Sequence, residues 1–329
     1  MSDESLPYVS VVIPVLNEER YLAACLSSLM ALTYPHDRYE VLLVDNGSTD
    51  RTLEIARGFS GVAIYVKENA KVGAVRNYGA GHAKGSIIVF LDSDCVVRRD
   101  WLSDGVSQLT ANPGSIAGGH YLLRENPSRL EQYWILASSA RTNPRASLLG
   151  GCIFIPADIF RTIGGFDESL NAGEDNDLTA RLRNAHYRVE VEPSLSVVHL
   201  GYPSRVRPFI ARQSWHSSDY INGLPQSLWD KTFLLTLVFM AGLISVPVAL
   251  LFLPAAYSAL VVSALLVIIS PAVLSAKRVR RTGVKGKSLF DYLSIYLVDW
   301  LYLLGRSLGV LSGLKKRLSF SSNTKVIRR

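Results

Sequence analysis

Ser86-Ile87-Ile88-Val89-Phe90-Leu91-Asp92-Ser93-Asp94 is the stretch whose reading decides the fold. Gly85 opens it, β-branched and aromatic residues fill it, and acids close it. Such a run reads as a strand buried on both faces, as in a parallel sheet covered by helices. Asp92 and Asp94 stand two residues apart at its carboxyl end, so on an extended backbone both carboxylates point to one side. Open α/β sheets place their ligands at that edge. Two hard oxygen donors there suit Mg²⁺ or Mn²⁺, with a substrate's phosphates filling other positions. Taken alone, the tripeptide equally fits a solvated loop.

The flanking sequence repeats the pattern. Residues 8–14 read as a first strand ended by Pro14, and Leu22, Ala23, Cys25, Leu26 and Leu29 give the next helix an apolar face. Residues 39–44 read as a second strand stopped by Asp45-Asn46-Gly47-Ser48, with a helix from about residue 52 to 57 and a third strand over 62–66. Strands alternating with helices predict an α/β layered domain with a mostly parallel sheet. Its loops would line up Asn17, Glu18, Asp45, Asp92 and Asp94 on one edge, a group suited to a nucleoside and a metal-bound diphosphate. Asp45 and its neighbours also read simply as a turn and cap. In residues 69–81, Gly73 permits close backbone approach, and a helix beginning near Ala74 would aim its first amides and Arg76 at an anion. A surface helix with a solvated arginine fits that segment equally.

Composition divides the chain. It is 48% hydrophobic over 329 residues, and residues 233–276 carry no charged side chain. As a helix that stretch spans roughly 66 Å at about 1.5 Å per residue, twice a bilayer core of ~30 Å, so it predicts a hairpin of two crossings broken near Pro254. The net charge of +7 is concentrated beyond it: residues 277–329 hold 13 Lys/Arg against Asp291 and Asp299, a net of +11 that leaves −4 for the rest. A mildly acidic globular part argues against nucleic acid, and a basic tail argues for an anionic lipid surface. Lys277, Arg278, Arg280, Arg281, Lys285 and Lys287 directly follow the hairpin and put its ends, with the globular part, on the cytoplasmic face of the cell's inner membrane. Residues 289–311 are long enough for a third crossing, but Asp291, Asp299 and Arg306 recur on one stripe, which favours a helix lying in the interface. Cys25, Cys95 and Cys152 form no C-x-x-C pair and fit a reducing compartment, and the start of the chain shows no signal-peptide pattern.

In order and spacing, Val11-Val12-Ile13-Pro14 with Asn17-Glu18, residues 44–50, Arg76-Asn77, Leu91-Asp92-Ser93-Asp94, Gly164-Gly165-Phe166-Asp167-Glu168 and Glu174-Asp175-Asn176-Asp177-Leu178 resemble family 2 of the glycosyltransferases. These are inverting enzymes with a GT-A type, Rossmann-like nucleotide-sugar-binding fold, and the resemblance covers about residues 8–200. It implies that Pro14, Asn17, Glu18 and Asp45 hold the nucleoside, that Arg76 approaches the donor, and that Asp94, assisted by Asp92, holds a divalent metal, Mn or Mg, on the diphosphate. By the same resemblance Asp175 is the base for an acceptor hydroxyl and Glu174 holds an acceptor hydroxyl. Capping and the helix dipole, worth ~0.5–2 kcal/mol, also explain an acid at a helix start, though one acid rather than three. His199 resembles the histidine that completes the metal site in some relatives, where imidazole suits Mn²⁺ better than Mg²⁺. A lone histidine also fits a structural place.

The expected organisation is a nucleotide-sugar half over 1–100, an acceptor half over 101–215, a linker over 216–232, a membrane hairpin over 233–276, and a basic segment over 277–329. Arg212-Gln213-Ser214-Trp215 departs from the Gln-x-x-Arg-Trp pattern of processive sugar polymerases, which favours transfer of one sugar. The expected partners are a nucleotide diphosphate sugar, a lipid-linked or glycan acceptor, and membrane lipids. Two other readings stand beside this one: a polyprenyl-phosphate sugar transferase, whose acceptor needs no strong base, and a non-catalytic nucleotide-sugar sensor or scaffold.

Overall fold

The structure is a computed structural model that describes residues 6–136, 147–218, 220, 221, 224, 226–252, 257–282 and 288–326, the last eight by backbone alone. In chain order the elements begin with β1 (Val9–Val15), α1 (Leu22–Met30), β2 (Tyr39–Asp45), α2 (Thr52–Arg57), β3 (Val62–Val66), α3 (Val72–Gly81), β4 (Ile87–Leu91) and β5 (Cys95–Val96). They continue with α4 (Trp101–Ala111), β6 (Ser115–Gly118), β7 (Tyr121–Leu122), α5 (Arg129–Ile135), β8 (Cys152–Pro156), α6 (Ala157–Thr162), α7 (Glu174–Asn184), β9 (Arg188–Val191) and β10 (Val197–His199). Last come α8 (Val206–Ser217), α9 (Lys231–Leu251), α10 (Tyr257–Thr282) and α11 (Leu289–Val326). The chain forms two compact units, one of Met1–Arg124 with Ala140–Gly201, the other of Glu125–Ser139 with Tyr202–Arg329.

The first unit is built on a seven-stranded sheet of order β3-β2-β1-β4-β8-β6-β9. Its first four strands are parallel, β8 runs antiparallel to both β4 and β6, and β9 is parallel to β6. Every residue of β4 is buried. Alternate residues explain why: Val89 and Leu91 join the cluster that includes α1 and α4, while Ile88 and Phe90 join the cluster with α6, Phe166 and α7. The ring of Phe90 lies 5.1 Å from Phe160 and 5.0 Å from Phe166. A strand covered on both sides has no polar positions to spare. A small second sheet, β5-β10-β7, sits beyond the end of β4.

Two local expectations are corrected. Pro14 does not end the first strand, which runs on to Val15 against β2. Pairing of β1 with β4 stops at Val12 opposite Phe90, so Pro14 lies where the strand has a neighbour on one side only and its missing N–H costs nothing. α3 begins at Val72, one to two residues before the expected start, because Lys71 still has an extended backbone.

In the second unit, α9, α10 and α11 are each long and apolar enough to cross a membrane. α9 and α10 form a packed pair, with α11 against both and against α5 and α8. Charged and polar side chains on α11 find partners inside this unit: Asp299 is bound by Arg278 and, at 2.6 Å, by the Ser275 hydroxyl, and Tyr133 donates to Asp291 at 2.9 Å. Arg306 meets the Tyr220 hydroxyl, which itself donates to Asp230. α11 runs further than the interfacial segment expected from sequence, to Val326. The expected break at Pro254, and Lys285 and Lys287, lie outside the described residues.

Candidate active site

β4 delivers Asp92 to the sheet edge, but the backbone does not stay extended there. Cys95 N–H donates to Asp92 O at 3.0 Å, closing a turn before β5, and the two acids take different protein partners. Asp92 faces α3, where Arg76 Nη2 donates to its Oδ1 at 2.7 Å, and β7, where the Tyr121 hydroxyl donates to its Oδ2 at 2.8 Å. Burial alone would raise the affinity of Asp92 for its proton, but Arg76, the Tyr121 hydrogen bond and the field of His199 hold it below the usual carboxylate range.

Arg76 is the centre of the site. It is buried, and its other amino group, Nη1, donates to Glu174 Oε1 at 2.5 Å, while its guanidinium lies 5.5 Å from the centre of the Phe166 ring. Burial works against its charge, yet the two carboxylates outweigh that cost and keep it protonated. The resemblance had Arg76 approaching the donor and Glu174 an acceptor hydroxyl. Here Arg76 bridges Asp92 and Glu174, a guanidinium fork spanning two carboxylates that would otherwise repel.

Asp175, next along α7, binds no cation among the described residues. Its Oδ2 accepts from Gly150 N–H at 3.1 Å and its Oδ1 from Asn176 N–H at 2.7 Å. Burial first, then the neighbouring Glu174 carboxylate, raise its proton affinity above that of an ordinary aspartate, against the two hydrogen bonds and Arg76. The third acid of the segment, Asp177, pairs with Arg181 one turn on, and Arg181 also donates to the carbonyls of Ile163 and Gly165. Of the three acids, then, one binds Arg76, one pairs with Arg181, and Asp175 accepts hydrogen bonds from two backbone N–H groups.

Gly150 and Gly151 carry the chain across this group. A Cβ at Gly150 would come within 2.7 Å of Arg76 Nη2, and one at Gly151 within 2.4 Å of Asp92 Oδ2, so no larger residue fits over the ion pair. Gly151 N–H also donates to the Tyr121 hydroxyl at 2.9 Å, which closes a path from Asp92 through Tyr121 to the segment that binds Asp175. Sequence reading passed over Tyr121, which sits in a two-residue strand with no motif around it. The Gly150-Gly151 pair was a visible signal of close backbone approach.

Asp94 meets β10. Its Oδ2 lies 3.4 Å from His199 Nε2, its carbonyl accepts from Leu200 N–H at 2.8 Å, and a Cβ on Gly201 would stand 1.9 Å from Oδ2. The Tyr121 ring packs 4.7 Å from the His199 ring. Among the described residues no three His, Cys, Asp or Glu side chains are gathered into a ready-made metal cage. The Asp94–His199 pair does offer one oxygen and one nitrogen donor side by side, a set that suits a Mn²⁺-type ion completed by phosphate oxygens. Asp92, with one hydrogen bond on each carboxylate oxygen, from Arg76 and from Tyr121, keeps a further lone pair on each.

At the far loops the expected nucleoside residues are tied to each other. Asn17, in the left-handed region at φ 56°, accepts from Thr49 N–H at 2.8 Å, and its own N–H donates to Ser48 Oγ at 2.9 Å. Glu18 N–H donates to Thr52 Oγ1 at 2.8 Å. Asp45 is buried and folds its own turn, accepting at 3.0 Å from both Gly47 N–H and Ser48 N–H. Pro14 is the residue before last of β1, paired with Val44 of β2. These loops form a latched rim at the carboxyl ends of β1 and β2, where an open sheet binds its ligand.

Comparison with known proteins agrees with this layout. Residues 10–155 match the profile of Glycosyl transferase family 2, and residues 87–277, more than half the chain, match that of Glycosyl transferase family group 2. Glycosyltransferase AglE of Haloferax volcanii is 34% identical over 196 residues, 56% of this chain and 64% of that protein. A Methanococcus voltae protein named dolichyl N-acetyl-alpha-D-glucosaminyl phosphate 3-beta-D-2,3-diacetamido-2,3-dideoxy-beta-D-glucuronosyltransferase is 30% identical over 105 residues, 30% of this chain and 33% of its own length. The chain thus spans under two thirds of these relatives. Among solved structures, the mannosyltransferase PcManGT from Pyrobaculum calidifontis superposes with a TM-score of 0.57 at 20% identity, over 94% of this chain and 88% of that one, and so shares the GT-A type fold. With the sheet, the ordered acidic segments and both profile matches in agreement, the chain belongs to family 2 of the glycosyl transferases.

Proposed function

We propose that this glycosyltransferase works by inversion at a membrane, moving one sugar from a nucleotide diphosphate sugar to a hydroxyl of a lipid-linked or glycan acceptor. The observation that carries the reading is Asp175: a carboxylate with raised proton affinity that binds no cation among the described residues, beside two acids that share Arg76. In the transfer, the acceptor oxygen bonds to the anomeric carbon as its hydroxyl proton passes to Asp175. The bond from that carbon to the diphosphate oxygen breaks, and the nucleoside diphosphate leaves with the electron pair. A base of this kind supplies roughly 10² to 10⁴ in rate.

Pro14, Asn17, Glu18 and Asp45 form the rim for the nucleoside. Arg76 and Asp92 set the floor, more by holding the site's charges apart than by touching the donor. Asp94 and His199 would hold a divalent metal, which when bound neutralises the departing diphosphate as a Lewis acid. The Pyrobaculum protein was solved with GDP-mannose and Mn²⁺, which supports both a nucleotide sugar and a divalent metal for this chain. The name of the Methanococcus relative supports a lipid-linked acceptor.

The membrane reading rests on α9 and α10 as a hairpin whose basic end faces the cytosol. The engagement of Asp299 by Arg278, near the basic end of α10, supports α11 as a helix lying in the cytosolic interface. Protease access to the C-terminal tail in sealed vesicles checks that placement, since an external tail requires a third crossing.

Asp175→Asn tests the chemistry. Turnover is expected to fall by about 10²-fold or more with donor binding retained. Unchanged turnover would mean that no hydroxyl is deprotonated here, and would move the reading to a phosphate acceptor.

A further inference from the structure

Within the second unit a cavity of about 260 Å³ opens beside the C-terminal part of α10, lined among others by Trp134, Leu274, Lys277, Arg278, Arg281 and Tyr302. By volume it holds roughly nine waters at about 30 Å³ each, too little for a drug-sized ligand and enough for a small headgroup. Its cations fall into two kinds. Arg278 is committed: one amino group binds Asp299, the other donates to the backbone carbonyls of Tyr133 and Trp134, and its guanidinium lies 4.8 Å from the Trp134 ring. Lys277 and Arg281 make no ion pair among the described residues, and no carboxylate lines the cavity among them. Four residues apart on a helix, they project from one face.

The other wall is apolar. Trp134 stacks on Tyr302 with ring centres 4.9 Å apart, and Leu274 is buried beside them. The cavity therefore lies where the charge-free stretch ending at Ala276 gives way to the basic stretch starting at Lys277. Two unpaired cations facing an aromatic and aliphatic wall match an anion that carries its own hydrocarbon. Basic pockets at the cytoplasmic end of membrane helices take lipid phosphates for this reason.

We infer that this cavity binds the phosphate group of a membrane lipid, with Lys277 and Arg281 on the phosphate oxygens and Trp134, Tyr302 and Leu274 against the first carbons beyond it. The inference rests on the membrane reading of α9 and α10 given above. A phosphomonoester carries about −1.5 to −2 at neutral pH, which two free cations balance.

The test uses the full chain in a neutral detergent, following thermal unfolding with dioctanoyl phosphatidic acid, dioctanoyl phosphatidylcholine or inorganic phosphate at matched concentrations. Phosphatidic acid is expected to raise the midpoint by several degrees in a saturable way, with little response to the other two. Lys277→Ala/Arg281→Ala is expected to weaken half-saturation by tenfold or more without moving the ligand-free midpoint. Arg281→Gln alone serves if the double variant does not fold. An equal response to inorganic phosphate would make this a free-anion site, and an undiminished response in the variants would place the lipid elsewhere; either overturns the inference. Carbonate extraction of membranes separates the underlying reading: a chain released as soluble protein has no membrane hairpin, whatever the lipid response.

Discussion

Two arginines, one in each unit, hold acids away from water, and they leave their surroundings in different states. Arg278 binds one carboxylate, Asp299, whose second oxygen takes the Ser275 hydroxyl, and its remaining donors go to backbone carbonyls. That group is closed. Arg76 binds two carboxylates from two other segments, Asp92 and Glu174, and a third, Asp175, stands next in the chain with its proton affinity raised. That group has more carboxylates than its one guanidinium can balance, and it keeps one acid able to take a proton. A buried ion pair is weak evidence for stability and none for chemistry. A buried pair with an unspent acid beside it is a different object, and the difference lies in how many carboxylates share one guanidinium.

Removing each arginine's contribution sharpens this contrast. Arg76→Ala leaves the buried Glu174 and the partly buried Asp92 without a counter-charge, and is expected to cost about 3 kcal/mol, measured by chemical unfolding of the full chain in detergent, together with most turnover. Asp299→Ala leaves only Arg278 behind, with its carbonyl acceptors intact, so the loss should be of the same size, about 3 kcal/mol, and donor binding should survive. If both variants lost activity alike, the distinction between the two groups would collapse.

The smallest effect is the most specific. Asp175 works as a base only when deprotonated, and its raised proton affinity sets the acid limb of the pH profile above an ordinary aspartate near pH ~4. The Glu174 charge contributes to that rise and Arg76 opposes it. Glu174→Gln therefore removes a raising influence and frees a lowering one. The acid limb of kcat/KM should move to lower pH, even as the maximum falls. A limb that moves upward or stays in place would show that another group titrates there.

Much of the first unit was legible in sequence because burial and periodicity are local. The double-sided burial of β4 follows from residues 87–91 alone, and α2 and β3 fall on their expected ranges. Asp92 and Asp94 were singled out from their spacing, Glu174 and Asp175 from the family resemblance. Their divisions of labour were not. Asp92 binds Arg76 and Tyr121 while Asp94 lies beside His199, partners that the spacing of the two acids did not indicate. Tyr121 gave no signal, since a tyrosine between short strands looks the same whether its hydroxyl meets water or a carboxylate.

What the chain's letters determined by themselves is the layered α/β unit, the acids at its strand and helix ends, and an apolar stretch with a basic sequel, because propensity, hydrophobic period and charge density act over a few neighbouring residues. Which acid of the site has its proton affinity raised was decided only in three dimensions. Arg76 meets Glu174 across 98 positions of sequence, and Asp175 meets Gly150 across 25. Proton affinity depends on the charges and solvent around a group, and those are assembled by packing between segments that carry no record of one another.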